Sequence, residues 1–182
     1  GLIPYPQWKR LTHGESWSTG DTYIASVGQG YVLATPLQVL LSAATIANDG
    51  KLMQPQLVKE VLDGEGNVVR PFQPIQKWDI TRDNLIQEYD ETSTRGCEPI
   101  EGRAKNVQPW VIEKVQEGMR RAVTHGTLAK EFVYATVPAA GKTGTAEYCD
   151  KYAQAKNRCI PGNWPTHAWT VAYAPYDDPE IA

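Results

Sequence analysis

The chain has 182 residues, of which 41% are hydrophobic and 21% charged, with 15 Gly and 13 Pro. This is the make-up of one globular domain, large enough to enclose about two dozen apolar residues without help from disulfides or metals. Eighteen Lys and Arg against 21 Asp and Glu leave a net charge of −3, and no basic stripe offers itself to a phosphate backbone, which excludes a duplex-binding role.

Apolar stretches such as Val39 to Ala44 are far shorter than the ~20 residues that cross a bilayer, and no signal-peptide pattern opens the chain, so it reads as a soluble polypeptide. Gly1 stands where a Met would begin a gene product, and Pro179-Glu180-Ile181-Ala182 resembles the start of a strand, so either end is expected to be a cut.

The first legible segment is Ser26 to Gly50. Ser26-Val27-Gly28-Gln29-Gly30 reads as a flexible, Gly-punctuated loop, after which Thr35 is an N-cap and Pro36 a first helical residue. Leu37, Leu40, Leu41 and Ala44 recur at helical spacing and predict an apolar stripe packed on a core, ended by Asn48-Asp49-Gly50. A short hairpin is expected next, with Leu57 to Leu62 and Val68 to Arg70 flanking Asp63 to Asn67.

Pro71 to Arg103 shows no sustained period and reads as irregular or partly helical. Between Pro109 and Val123, Val111, Val115, Met119 and Ala122 predict the core face of a second helix, closed by Gly126. Two strands follow, Ala139 to Tyr148 and His167 to Ala174. In the latter, Trp169, Val171 and Tyr173 share one face, while the small residues opposite would let a helix approach. The mixture predicts an α+β sandwich in which helices cover a mostly antiparallel sheet.

The densest chemical signal is Gly141-Lys142-Thr143-Gly144-Thr145. A phosphate-binding loop would need a glycine at position 136, where Thr136 stands, and would have to open a helix where this run continues extended. A nucleotide-binding reading is therefore a distant alternative. On a strand, Thr143 and Thr145 point to one side and Lys142 to the other, while Gly144 leaves the surface bare. Were this an edge strand, an extended peptide could borrow its backbone hydrogen bonds.

Lys142-Thr143-Gly144-Thr145-Ala146, followed by His167-Ala168-Trp169 and Tyr173-Ala174-Pro175, resembles the penicillin-binding transpeptidases of the bacterial cell wall. Ser26 to Gly30 with Thr35-Pro36-Leu37-Gln38 is similar to the Gly-Gln-Gly loop and following helix of the class B members. Gly1-Leu2-Ile3-Pro4 and Ala47-Asn48-Asp49-Gly50-Lys51 most resemble the elongation-type penicillin-binding protein 2 group.

The resemblance implies a penicillin-binding transpeptidase and serine β-lactamase-like fold. It also implies acyl transfer through a serine, with no cofactor and no metal. Lys142, Thr143, Gly144 and Thr145 would be the catalytic strand, with Thr143 and Thr145 holding the substrate carboxylate and the Thr145 N–H forming half of an oxyanion hole. Gln29, Gly30 and His167 would help bind substrate, His167 as a site-adjacent residue and not a base. The implied partners are peptidoglycan stem peptides ending in D-alanyl-D-alanine, β-lactam antibiotics and proteins of a cell-wall elongation complex, with no nucleic acid. The implied location is extracytoplasmic, with a transmembrane anchor preceding these residues. A non-catalytic sensor or binding module of the same fold is the alternative.

The serine motif itself is absent. Ser16, Ser18, Ser26, Ser42 and Ser93 all lack a lysine three residues on and an Asn or Asp two residues on. Residues 1–182 are accordingly expected to be the C-terminal portion of a transpeptidase domain, inactive toward penicillin alone.

Cys149 and Cys159 bracket a polar loop between the two strands, and three readings stay open: a disulfide, two free thiols, or a zinc site with His167. Cys97 is then left over. Trp110, Trp164 and Trp169 are candidates for lining a groove, with burial the simpler role for Trp169.

Overall fold

In a computed structural model of the chain, residues 1–90 and 98–182 are described. The N-terminal region holds two helices that the apolar pattern did not announce: α1 (Pro6–His13) and α2 (Thr19–Ser26). Their signals lie in the caps. Pro6 opens α1 and Gly14, at φ 70°, ends it; Ser18 and Asp21 form a reciprocal capping box on α2.

Helix α3 (Pro36–Ala47) starts as expected, with Thr35 and Gln38 in a second capping box. Its buried face, however, is Ala43 and Ala47 with Thr45. Leu37 and Leu40 are exposed, against the expected stripe. Hydropathy favours the large residues for the core, whereas close helix packing here uses the smallest side chains.

Strand β1 (Lys51–Met53) pairs antiparallel with β4 (Gln76–Asp79), and between them β2 (Val61–Leu62) and β3 (Val68–Arg70) form the expected hairpin. Asp63 closes that turn by accepting hydrogen bonds from the backbone N–H groups of Glu65 and Asn67 at 2.9 Å. The aperiodic stretch thus contains β4, and later β5 (Tyr89–Asp90) paired with β6 (Glu98–Pro99), and no helix among its described residues. Cys97 and Ser93 lie outside the described residues.

Helix α4 (Pro109–Thr124) is present, but its core face is rotated by one residue, to Ile112, Met119 and Val123, and Val115 is exposed. The displaced stripe passes through Gln116, whose amide donates to the Ile46 carbonyl (2.8 Å) and to Asp49 Oδ1 (3.0 Å). A polar side chain in the middle of the buried face conceals the true period.

Strands β7 (Ala140–Glu147) and β8 (Thr166–Tyr173) pair antiparallel without a bulge, Lys142 opposite Val171 and Thr145 opposite Ala168. Between them the five-residue helix α5 (Lys151–Ala155) is capped by Asp150. The centre of the core joins Ala47 of α3, Met119 of α4, Ala140 of β7 and Tyr173 of β8, with Ile46 and Tyr176 against it. The helix layer therefore meets the sheet on its Tyr173 face, and the face of small residues is covered at Gly141 and Ala172 by Leu128, from the turn after α4. The architecture is the α+β layering expected. No helix among the described residues is long and apolar enough to cross a membrane.

Candidate active site

Strand β7 brings the Lys-Thr-Gly run to an open edge. The Tyr148 N–H donates to the Pro165 carbonyl at 3.0 Å, continuing the ladder, so the even-numbered residues of β7 bond to β8. The N–H and C=O groups of Thr143, Thr145 and Glu147 then point away from β8, toward the unpaired side.

The Gly-Gln-Gly loop sits on that side. Gln29 Nε2 donates to the Thr145 carbonyl at 2.9 Å, across 116 residues of sequence. The loop is less free than expected: Ser26 ends α2, and the N–H groups of Gly28 and Gln29 bond back to the Ala25 and Ile24 carbonyls at 2.9 and 3.0 Å. Gly30, at φ 69°, has no room for a side chain, because a Cβ there would lie 2.7 Å from Ile24 Cγ2. Gln29 is thereby held as a brace on the strand, with its amide nitrogen already engaged.

Helix α2 is in turn fixed from α1. Lys9, nearly buried, donates to Asp21 Oδ2 at 2.8 Å, lies 3.3 Å from Glu15 and sits 5.8 Å from the centre of the Tyr31 ring. The Lys9 ammonium first, and then the hydroxyl and backbone N–H of Ser18, hold the Asp21 carboxyl down at about 2.

Each expected site residue can be placed on this frame. Lys142 is exposed and its ammonium donates to the Thr143 carbonyl, at the open edge. The Thr143 hydroxyl is 3.1 Å from that of Thr127, a neighbour that no spacing rule pointed to. Gly144 faces Trp169, and a Cβ on it would make only ordinary contact at 3.5 Å; crowding by the protein is instead found at Gly141, where a Cβ would lie 2.9 Å from the Val171 carbonyl oxygen and 3.0 Å from Leu128 Cδ1.

His167 lies opposite Ala146 and stacks on Tyr148 with ring centres 4.1 Å apart. It is on the edge of the arrangement and does not reach the Thr143 and Thr145 pair through any hydrogen bond among the described residues. Cys149 and Cys159 are joined as a disulfide, with Cα atoms 5.6 Å apart, which removes both thiols from a zinc site with His167. Trp164 lines a cleft of about 600 Å³ with Ile24, Val27, Gly30, Pro161 and Glu147, whereas Trp110 is exposed away from it.

A family model of the penicillin binding protein transpeptidase domain matches residues 8–182. The chain belongs to that family. Within the family it goes with the class B penicillin-binding protein 2 group. The peptidoglycan D,D-transpeptidase MrdA of Haemophilus influenzae is 33% identical over 98% of this chain and 24% of its own length. Among solved structures, the penicillin-binding protein 2 of Helicobacter pylori, in complex with MreC, superposes with a TM-score of 0.61 at 26% identity, covering 99% of this chain and 26% of that one. Penicillin-binding protein A of Mycobacterium tuberculosis, as an imipenem acyl-enzyme, gives 0.59 at 26% identity, over 89% of this chain and 28% of that one. The chain spans about a quarter of the length of the curated relatives it matches. The Lys-Thr-Gly run of this chain lies within β7 and does not open a helix, so it has no helix N-terminus of its own to cradle a phosphate.

Proposed function

We propose that these residues are the C-terminal portion of a transpeptidase domain and supply one wall of its active site, the Lys-Thr-Gly strand, to a serine carried elsewhere in the longer protein. The reaction is the cross-linking of peptidoglycan stem peptides. The serine oxygen attacks the penultimate D-alanine carbonyl of a D-alanyl-D-alanine stem, the terminal D-alanine leaves as the amine, and an acceptor amine then takes the acyl group and frees the serine.

The observation that carries this reading is the Gln29 brace on Thr145, which unites the two motif segments at one open strand edge. On that edge the hydroxyls of Thr143 and Thr145 bind the terminal carboxylate, and Lys142 adds a positive field. The outward N–H of Thr145 donates to the oxyanion, a role whose loss costs about 3 kcal/mol in the barrier. β-Lactams would be accepted as mimics of the same stem, a reading supported by the relative captured as an imipenem acyl-enzyme. The complex of another relative with MreC supports protein partners in cell-wall synthesis, and the peptidoglycan transpeptidases among the relatives support action outside the cytoplasm.

In the full-length protein, fluorescent penicillin should label a serine outside these residues, and an acyl-D-alanyl-D-alanine peptide should release D-alanine. Thr143→Val, which removes one hydrogen bond to a charged group, should slow acylation about 10- to 100-fold. Labelling without release of D-alanine would instead identify a binding or sensing module, and failure of both would end the reading.

A further inference from the structure

The Thr127 hydroxyl stands 3.1 Å from that of Thr143, and this is its side chain's only hydrogen bond among the described residues. The residues on either side of Thr127 fix it there. Gly126 turns the chain off α4 so tightly that a Cβ on it would lie 2.8 Å from Ala122 Cα, and its N–H donates to the Arg121 carbonyl at 3.0 Å. Leu128 is buried, with its N–H on the Ala122 carbonyl at 3.0 Å and its Cδ1 packed over Gly141. Gly141 and Thr143 leave the same face of β7, so the turn that seats Leu128 on the one delivers Thr127 to the other.

A hydroxyl has one proton to give and two lone pairs that accept. Between Thr127 and Thr143 either oxygen can be the donor. A carboxylate only accepts. Once the Thr143 proton goes to a substrate carboxylate, the Thr143 oxygen is left to accept, and Thr127 becomes the donor. The protons then run in one direction, from Thr127 to Thr143 to the carboxylate, and each bond polarises the next.

We propose that Thr127 is a positioning residue of the transpeptidase site, which donates to Thr143 and so turns that hydroxyl's proton toward the terminal carboxylate of the stem peptide. Thr127 acts through Thr143 and does not itself touch the substrate. The proposal rests on the reading of Thr143 as a carboxylate ligand.

The test compares kcat/KM of the full-length protein for an acyl-D-alanyl-D-alanine peptide and for its C-terminal amide, read as release of D-alanine and of D-alaninamide. The wild type should favour the acid. Thr127→Val, close in shape but without the hydroxyl, should lower the acid-to-amide ratio about fivefold, the worth of one hydrogen bond, whereas Thr127→Ser should keep the wild-type ratio. Thr143→Val should lower the ratio too, and adding Thr127→Val to it should lower the ratio no further, because no hydroxyl is left to orient. Ratios within one preparation do not depend on the fraction folded, so a merely destabilised variant leaves them unmoved. An unchanged ratio in Thr127→Val, a ratio as low in Thr127→Ser, or a further fall in the double variant overturns the positioning role and leaves the carboxylate role of Thr143 standing. Equal turnover of acid and amide by the wild type, turnover of neither, or an unchanged ratio in Thr143→Val overturns that role and the proposal with it.

Discussion

Asp21 shows how one side chain ties α1 to α2, the helix that leads into the Gln29 loop. Its Oδ2 accepts from Lys9 Nζ at 2.8 Å and from the Ser18 hydroxyl and N–H, both at 2.7 Å, so α1 and α2 share one anchor. Because its folded pKa of about 2 lies below the unfolded value, the unfolded chain binds the extra proton between these values. Stability from this group is complete above about pH 4 and is lost as pH falls toward 2. Acid unfolding followed by circular dichroism should show a smaller loss of stability on that limb in Asp21→Asn than in the wild type, the rest coming from Asp63, Asp79, Glu88 and Glu117, whose carboxyls are also held below their ordinary values. Tyr173 presents the opposite case: its hydroxyl is buried with no hydrogen-bond partner among the described residues, and burial pushes its pKa up to about 12. Removing an unsatisfied buried hydroxyl relieves a desolvation cost, so Tyr173→Phe should be neutral or stabilising by about 1 kcal/mol in urea unfolding.

Among the elements, β7 and the loop after it hold the site in shape. Gly141 lies where β8 and Leu128 leave no space, so Gly141→Ala should destabilise by about 1–3 kcal/mol, measured as a thermal shift, although the added methyl touches no substrate position. The Cys149–Cys159 bond closes a loop of ten residues' separation that carries α5 and, just beyond it, Pro161 and Trp164. Reducing it should cost about 2–3 kcal/mol through the entropy of the opened loop, read as a lower urea midpoint with reductant. The cap of α3 and the turn of the β2–β3 hairpin were legible from the sequence: Thr35-Pro36 and Asp63 to Asn67 act through local backbone geometry that neighbouring residues define. The buried faces were not. Those of α3 and α4 are set by Ala43, Ala47 and Gln116, and their roles depend on what lies across the interface.

Over the whole molecule, the described residues bury ten hydrophobic side chains, five of them alanines, where the length alone suggested about two dozen. Tyr23 of α2, Val27 and Leu33 of the connecting segment, and Leu37 and Leu40 of α3 are all exposed. Large exposed apolar residues in such number favour association, so this 182-residue chain expressed alone should bind a hydrophobic dye and self-associate in sedimentation, and Leu37→Lys with Leu40→Lys should reduce both. The sequence by itself determined the α+β class, the helix and strand that carry the motifs, and the side-chain alternation of Lys142, Thr143 and Thr145, because each follows from local periodicity and capping. Only the tertiary structure decided that Gln29 braces Thr145, that Thr127 meets Thr143, that the two cysteines are bonded, and that Glu147 shares a cleft with Trp164. Those contacts join residues far apart in the chain, and no local periodicity encodes which of them a fold will bring together.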